Sequence, residues 1–500
     1  MHSLLFNYSR WGKYVIVVFS ALIVIYICLL FPDSEVKFHN GFIGKPFLWN
    51  QDAKWEAIEA RFTEARITGC DSLKERLQFR LKYGWQLNKM LSLRYYDISD
   101  SIFNSIEENI FSLGPMVGTC PNHLMDFVLM VVSMRDAVKD QSQRWNIDSV
   151  STRIRLYRLL YGGRAAIEEV MLQASRDTFP STVLCRDEPS HTPSVNILGV
   201  RIHSGDILVS RGGAPTSALI ARGNDYQGNF SHIALACVDS GNINMIESHI
   251  EKGVTVSSID DYLRDKKLRV MVLRLHSNLP ALINDPMLPH KAASRMLKYA
   301  RSRHIPYDFS MDLLDTSKMF CSEVVSYAYR HYGLTLWRGI STISSAGTAS
   351  WLAAFGVERF ETQEPSDLEY DPQLSVVAEW RDREALFKDH VDNAVIEAML
   401  EGAERGDQLR YDWYMLPIAR VLKIYSVLAN LFGGIGPIPE GMNATAALKN
   451  RNLTVRHAAI TAEVLKNAEI FQNRFGYIPP YWELLKLARQ AIARNRESLN

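Results

Sequence analysis

The amino-acid sequence predicts an α+β protein in which an antiparallel sheet occupies the middle of the chain and helical regions flank it. Three observations predict this class. Residues 198–385 contain short alternating segments followed by a helix, as expected for an antiparallel sheet with helices packed on it. Both flanks repeat apolar residues at helical spacing, and one uncharged apolar run lies near the N-terminus. With 500 residues, 47% of them apolar, the chain is long enough for roughly two to four folding units.

The N-terminal apolar run, residues 14–31, predicts a transmembrane helix. Its 18 residues carry no charge and are just long enough to span a bilayer. Arg10 and Lys13 precede it, so residues 1–13 are expected to form a cytoplasmic head and the body to lie outside. A cleaved signal peptide is the alternative, but its hydrophobic part would be shorter and would end in small residues, whereas this run ends in Leu-Leu-Phe. We therefore expect an uncleaved anchor.

Residues 34–178 predict a helical domain. Apolar residues recur at helical spacing, as at Ile58 and Phe62. Gly114-Pro115 and Gly118-Thr119-Cys120-Pro121 are expected to interrupt the helices. The region contains no catalytic motif, so we expect it to support the catalytic region by packing, with a stalk or a partner surface as the alternative. Residues 179–197, which contain three prolines, are expected to form a linker.

Three of the six cysteines fall in this exported part of the chain: Cys70, Cys120 and Cys185. Outside the cytoplasm a disulfide among them is allowed. The sequence leaves the pair open, and one thiol would remain unpaired.

Residues 198–385 are expected to form the catalytic domain. A strand begins at Gly205, and Ser231 to Ala236 alternates as the first arm of a hairpin that turns near Ser240. This geometry places His232 on one face of the strand and puts Glu247 near it on the returning strand. Glu247 is therefore predicted to orient the His232 imidazole and to stabilise its charged form.

Cys321 is the candidate nucleophile. The residues after it show a helical pattern that Gly333 ends. A thiol in the first turn of a helix lies at the positive end of the helix dipole, which favours the thiolate. A cysteine with a nearby base and a group that orients the base is the arrangement of a thiol hydrolase.

Several segments together resemble permuted papain-like amidases of the NlpC type. The stretch Ile305-Pro306-Tyr307-Asp308 followed by Phe320-Cys321-Ser322-Glu323 is similar to the cysteine region of that family. The histidine precedes the cysteine here, as in the YiiX/YaeF-like permuted branch, and Gly205-Asp206-Ile207-Leu208 also fits that branch. The resemblance covers residues 198–345 and implies a permuted papain-like fold. The long helical flanks have no counterpart in the family.

The resemblance implies roles for four residues. Cys321 would be the nucleophile, His232 the base, Glu247 the orienting group and Tyr307 a residue that lines the site and binds the substrate carbonyl. A zinc site formed by the first three residues with His249 is an alternative, but no paired Cys/His spacing supports it. We expect neither a metal nor another cofactor.

Residues 386–500 predict a C-terminal helical region. Within residues 413–432, the apolar residues Ile418, Val421, Leu422, Tyr425, Leu428 and Phe432 form a stripe. Core packing is the expected explanation, because Pro417 and two glycines bound the helix normally. A position on a membrane surface is the alternative.

Three function classes remain open. The favoured one is a membrane-anchored cysteine amidase or peptidase acting on cell-wall peptide. A lipid or thioester acyl hydrolase or acyltransferase is the second, and a scaffold protein with a vestigial site is the third. The flanking charges predict a single-pass protein of the bacterial inner membrane with its catalytic body in the periplasm. The formal net charge of +1, without a basic stripe, argues against nucleic acid as a partner. Protein partners remain open.

Overall fold

The structure, a computed structural model, describes residues 2–33, 53–432 and 434–497. Helices lie on both sides of a central sheet, which confirms the predicted α+β class. The α-helices are α1 His2–Leu30, α2 Ala53–Thr68, α3 Cys70–Leu93, α4 Ser101–Thr119, α5 Leu124–Ser142, α6 Val150–Leu156, α7 Gly162–Gln173, α8 Pro215–Arg222, α9 Ile259–Arg264, α10 Pro280–Asn284, α11 Leu288–Ser302, α12 Cys321–Arg330, α13 Ala346–Ala353, α14 Arg383–Glu404, α15 Leu416–Leu431, α16 Ala444–Phe475 and α17 Tyr481–Glu497. The strands are β1 Thr182–Leu184, β2 Ser194–Ile197, β3 Val200–His203, β4 Ile207–Gly212, β5 His232–Asp239, β6 Asn242–His249, β7 Gly253–Ser258, β8 Lys267–Leu275, β9 Ser341–Thr342, β10 Glu361–Thr362 and β11 Leu374–Arg381.

The main sheet has seven antiparallel strands in the order β1-β11-β8-β4-β5-β6-β7. The hairpin β5–β6 turns at Ser240 and Gly241, which both have positive φ, as a two-residue hairpin turn requires. Helices α11 and α12 pack on one face of the sheet. This packing carries Cys321, the first residue of α12, to the strand that begins with His232.

Helix α1 contains one segment, Lys13–Leu30, that is long and apolar enough to cross a membrane. Its side chains are exposed from Lys13 to Tyr26 and do not enter the protein core.

Helices α2 to α7 form a bundle with its own core. The interruption predicted at Gly114 and Pro115 is wrong, because both lie inside α4. Packing explains the difference: α4 contacts α2, α3, α5 and α7, and these contacts outweigh the local preference of proline against a helix interior. A disulfide joins Cys70 to Cys120, and Cys185 is a free thiol.

Residues 179–197 contribute two short strands. β1 pairs with β11 at the edge of the main sheet, and β2 forms a separate ladder with β3. The chain between the bundle and the central sheet is therefore held by backbone hydrogen bonds to β11 and β3.

Helix α15 differs from the core packing expected for it. Only Leu416, Pro417, Ala419 and Ser426 are buried in this helix, whereas the predicted apolar stripe is exposed to solvent. The expectation was wrong because an apolar stripe in a sequence indicates that a helix face is covered, but it does not indicate what covers it. Helices α14, α16 and α17 do share a core.

Candidate active site

Cys321 opens α12 and is 5% exposed. Its sulfur lies 4.0 Å from the carbonyl oxygen of Ser231 and accepts a hydrogen bond from the backbone N–H of Ile233. These two residues precede and follow His232 in the chain. The thiol is therefore held against the backbone on both sides of the candidate base.

Burial raises the pKa of the Cys321 thiol to about 12, with a further contribution from the nearby Glu364 carboxyl. Burial therefore opposes the thiolate that the helix dipole was expected to favour. The sulfur is a neutral thiol until a base takes its proton.

His232 and Glu247 form a close pair. The Nε2 atom of His232 lies 2.9 Å from Oε2 of Glu247. Burial lowers the pKa of His232, and the Glu247 carboxylate partly offsets that effect. The imidazole is therefore neutral at neutral pH and able to accept a proton, and Nδ1 is the ring nitrogen that does not contact Glu247.

The register of the hairpin differs by two residues from the simplest expectation. Glu247 pairs directly with Ala234 and reaches His232 along the diagonal. Diagonal neighbours in an antiparallel pair remain within reach of long side chains. A glutamate spans this distance, whereas a shorter aspartate would be at a disadvantage.

Glu247 is 2% exposed, and both of its carboxylate oxygens have hydrogen-bond partners. Its Oε1 accepts from the hydroxyl of Ser257 at 2.8 Å and lies 3.2 Å from Nε2 of His249. Burial opposes ionisation of Glu247, but the hydrogen bonds from His232 and His249 outweigh it and hold its pKa well below the ordinary value. The site therefore contains a fixed negative charge beside the imidazole.

His249 brings a second imidazole to this carboxylate. The ligand atoms of His232, Glu247 and His249 all lie within 4.8 Å of one another, and two imidazoles with a carboxylate are ligands that zinc or iron accepts. This cluster overlaps the zinc alternative considered from the sequence. A cation there would use the same atoms that orient His232, so metal binding and the role of His232 as a base compete.

Tyr307 lies in the same site and is 8% exposed. Its ring packs edge-on against Phe309 with centroids 4.9 Å apart. Burial raises the pKa of Tyr307 well above its ordinary value, and the nearby Cys321 and Glu364 raise it further. The phenol therefore keeps its proton and is available as a hydrogen-bond donor.

We expect Tyr307→Phe to lower kcat by ~100-fold, the usual cost of one lost donor to a developing oxyanion. The KM should change little, because the donor acts mainly in the transition state. Steady-state kinetics on one substrate measures both constants. Full activity in Tyr307→Phe would show that the ring only packs against Phe309.

Sequence reasoning missed Glu364, a carboxyl next to Cys321 and Tyr307. Glu364 is 4% exposed, and its carbonyl oxygen accepts a hydrogen bond from the Trp337 indole at 2.9 Å. Burial raises the pKa of the carboxyl to about 8, with a smaller contribution from Asp367. No local pattern marks this residue, since it is brought to the site from more than 40 positions beyond Cys321 by the fold.

The pKa of Glu364 predicts the alkaline limb of the pH–rate profile. As the pH rises through about 8, Glu364 becomes negative and disfavours negative charge on the neighbouring sulfur. The rate of the wild-type protein should fall there, and Glu364→Gln should remove that fall. Glu361→Gln is the matched control, because Glu361 is exposed; if it abolishes the alkaline limb equally, Glu364 is not its source.

Two comparisons with known proteins return a match. Residues 201–378 match the family model described as permuted papain-like amidase enzyme, YaeF/YiiX, C92 family. A crystal structure of the metalloprotein yiiX from Escherichia coli O157:H7 is 17% identical, covers 36% of this chain and 97% of its own, and superposes with a TM-score of 0.29. No curated protein matches the sequence.

Proposed function

Residues 201–378 belong to the permuted papain-like family of cysteine amidases and peptidases, and from this premise we propose that the protein is a membrane-anchored amidase that cleaves peptide amide bonds of the cell wall. The observations that carry the proposal are the buried thiol of Cys321 against the backbone carbonyl of Ser231, the residue before His232, and the His232–Glu247 pair. A nucleophile, a base and a group that orients the base are the elements that thiol catalysis needs.

In the proposed reaction His232 takes the thiol proton of Cys321 while the sulfur attacks the amide carbonyl carbon. The carbonyl oxygen gains negative charge and accepts hydrogen bonds from the Tyr307 hydroxyl and the backbone N–H of Cys321. His232 then gives its proton to the leaving amine, and the C–N bond breaks to leave a thioester on Cys321. Water, deprotonated by His232, hydrolyses the thioester and restores the thiol.

The raised pKa of Cys321 decides when the proton moves. A thiol whose pKa is so high is not ionised before substrate binds, so proton transfer to His232 accompanies the attack. Glu247 contributes by stabilising the imidazolium that this transfer creates. The Glu247 carboxylate holds the imidazole in position and supplies a negative charge beside it, and it is not itself protonated in the reaction.

The substrate is tested by profiling the purified full chain. A thiol-reactive probe should label Cys321, and the labelled fraction should fall when cell-wall peptide fragments are added. Release of new amines from those fragments, with no fatty acid released from phospholipid, would support the amidase proposal. A protein that labels but cleaves neither substrate would contradict it.

Hydrolysis or transfer of an acyl group from a lipid is the second candidate. One observation favours it: α1 ends in an apolar segment able to cross a membrane, and such an anchor would hold the thiol beside lipid. The chemistry at Cys321 would be the same, because esters and thioesters are attacked in the same way as amides.

Membrane topology separates the two candidates further. Arg10 and Lys13 precede the apolar segment, and orientation follows the Lys/Arg bias near the membrane. We expect a fusion of alkaline phosphatase after Asn500, a residue outside the described part of the chain, to be active in bacterial cells. A fluorescent cytoplasmic fusion at the same position would put the site on the wrong side for cell-wall peptide and favour the lipid substrate.

A further inference from the structure

Helix α15 presents an exposed apolar surface that none of the described residues covers. The surface, called here the α15 face, consists of exposed side chains on this helix and the residue after it: Ile418, Val421, Ile424, Tyr425, Leu428 and Phe432. The most exposed of them, Phe432, has 90% of its surface accessible to solvent. A contiguous apolar surface of this kind on a protein marks a contact with a partner or a membrane.

The two charged side chains of α15 bond within the protein. Arg420 donates to the carbonyl of Phe31 and to Asp33, and the ammonium group of Lys423 donates to the carbonyls of Pro439 and Glu440. Both cations of the helix are therefore used within the protein. The α15 face is left without charge.

The end of the apolar segment of α1 is fastened to α15. The two helices are in contact, and Arg420 bonds to the residues at which that segment ends. Asp33 is fixed in turn by the backbone N–H and the hydroxyl of Thr445, each 3.1 Å away. The α15 face thus begins where a membrane-spanning α1 would leave the bilayer.

We infer that the α15 face lies in the lipid bilayer interface, where it forms a second membrane contact beside the proposed anchor. Exposed Trp413 and Tyr414 in the turn just before the helix agree with this partner, because both side chains are favoured at the boundary between lipid and water. A second copy of the chain packed on α15 would cover a narrower stripe of the helix surface than the exposed apolar residues occupy. The exposed apolar residues of α15 extend around most of the helix, which suits a helix partly sunk in lipid.

This membrane contact lies close to the catalytic groups. The chain that follows α15 packs on the segment of Tyr307: Gly441 is against the Phe309 ring and the Tyr307 carbonyl, and Glu440 lies 2.7 Å from His304. The backbone N–H of Glu440 also donates to the carbonyl of Glu251, in the turn after His249. A bilayer on the α15 face therefore places the site at the membrane surface and favours substrates attached to lipid. The inference rests on the proposed anchoring through α1.

Site-specific photocrosslinking tests the inference on the full chain reconstituted in vesicles of phosphatidylethanolamine and phosphatidylglycerol. The photoreactive residue p-benzoylphenylalanine replaces one phenylalanine at a time: Phe432 on the α15 face, Phe19 in α1, and Phe79 in α3 as a control with about the exposure of Phe19. Irradiation should add the mass of one phospholipid at Phe432 and Phe19 but not at Phe79. A second variant at Leu431 should repeat the result for Phe432.

Each other outcome is decisive. Lipid capture at Phe19 without capture at Phe432 and Leu431, or a crosslinked dimer at those two positions, would overturn the inference and leave the anchor in place. Capture at Phe432 without capture at Phe19 would support the contact and refute the anchor. Equal capture at Phe79 would show that the α15 face has no special contact with lipid and would overturn the inference.

Discussion

Replacing Cys321 by alanine should reduce turnover by on the order of 10⁴- to 10⁶-fold, because loss of a nucleophile leaves only the catalysis supplied by binding and oxyanion stabilisation. The fold should be retained, since the change removes a single sulfur atom. Single-turnover kinetics with the substrate identified by profiling measures the loss. An unaltered rate would end the interpretation of the protein as a cysteine hydrolase.

Cys237 supplies the matched control. It is a fully buried free cysteine on β5, the strand that also carries His232. Cys237→Ala changes the packing of the same sheet without touching the proposed chemistry, so it should keep nearly normal turnover. Equal inactivation by both substitutions would point to packing damage as the cause.

His232→Ala should cost about as much as Cys321→Ala, and the double variant should be no worse than either single variant, because residues that act as a unit are not additive. Glu247→Gln should do less harm, since an amide still accepts a hydrogen bond from His232. The carboxylate raises the pKa of His232, so its loss should shift the acidic limb of the pH–rate profile to lower pH. A limb that moves upward would contradict the role given to Glu247.

The local parts of this molecule were predictable from the sequence. The β5–β6 hairpin carries its own turn at Ser240 and Gly241, and α12 begins and ends near residues that signal helix boundaries. Residues that are close in the chain, such as His232 and Glu247, come together through that hairpin alone. The offset of two residues in its register was beyond sequence reasoning, because it depends on how β5 pairs with β4 and β6.

The parts that depend on tertiary contacts were not predictable. Glu364 reaches Cys321 from a loop after the catalytic helix, and its effect arises from burial that only the folded chain creates. The exposure of α15 is another example, since a stripe of apolar residues has the same sequence pattern whether protein or lipid covers it. The helix dipole at Cys321 is a local effect that favours the thiolate, whereas burial, which depends on the whole fold, raises the pKa of the thiol.

A network of buried charges, also invisible in the sequence, joins the bundle, the sheet and the C-terminal helices. Every residue of the network is at most 5% exposed. The members lie in the bundle, in and beside the sheet, and in α14: Arg135, Arg164, Glu168, Arg211, Arg269, Glu369, Glu379, Arg381 and Asp389. These contacts hold the helical flanks against the catalytic sheet. The bundle is therefore expected to unfold together with the sheet.

Glu369 is central to this network. Its two carboxylate oxygens accept from Nε and Nη2 of Arg164 at 2.9 and 3.0 Å, and Arg135 donates to Oε1 at 3.0 Å. Burial opposes ionisation of Glu369, but the two guanidinium groups outweigh it and lower its pKa. Because the folded-state pKa lies below the unfolded one, this contribution to stability is present above the unfolded pKa and is lost as the pH falls through the folded value.

Glu369→Gln should therefore lower the free energy of unfolding by about 3–5 kcal/mol, because it leaves two buried guanidinium groups without their shared carboxylate. Glu384→Gln is the control: Glu384 pairs with Arg176, and both side chains are more than 70% exposed, so the change should cost only about 0–1 kcal/mol. Thermal unfolding of the full chain in detergent, followed by tryptophan fluorescence at neutral pH, compares the two. Equal midpoints would show that the network adds no stability, whereas a large loss confined to Glu369→Gln would show that buried charges hold the helical flanks to the catalytic domain.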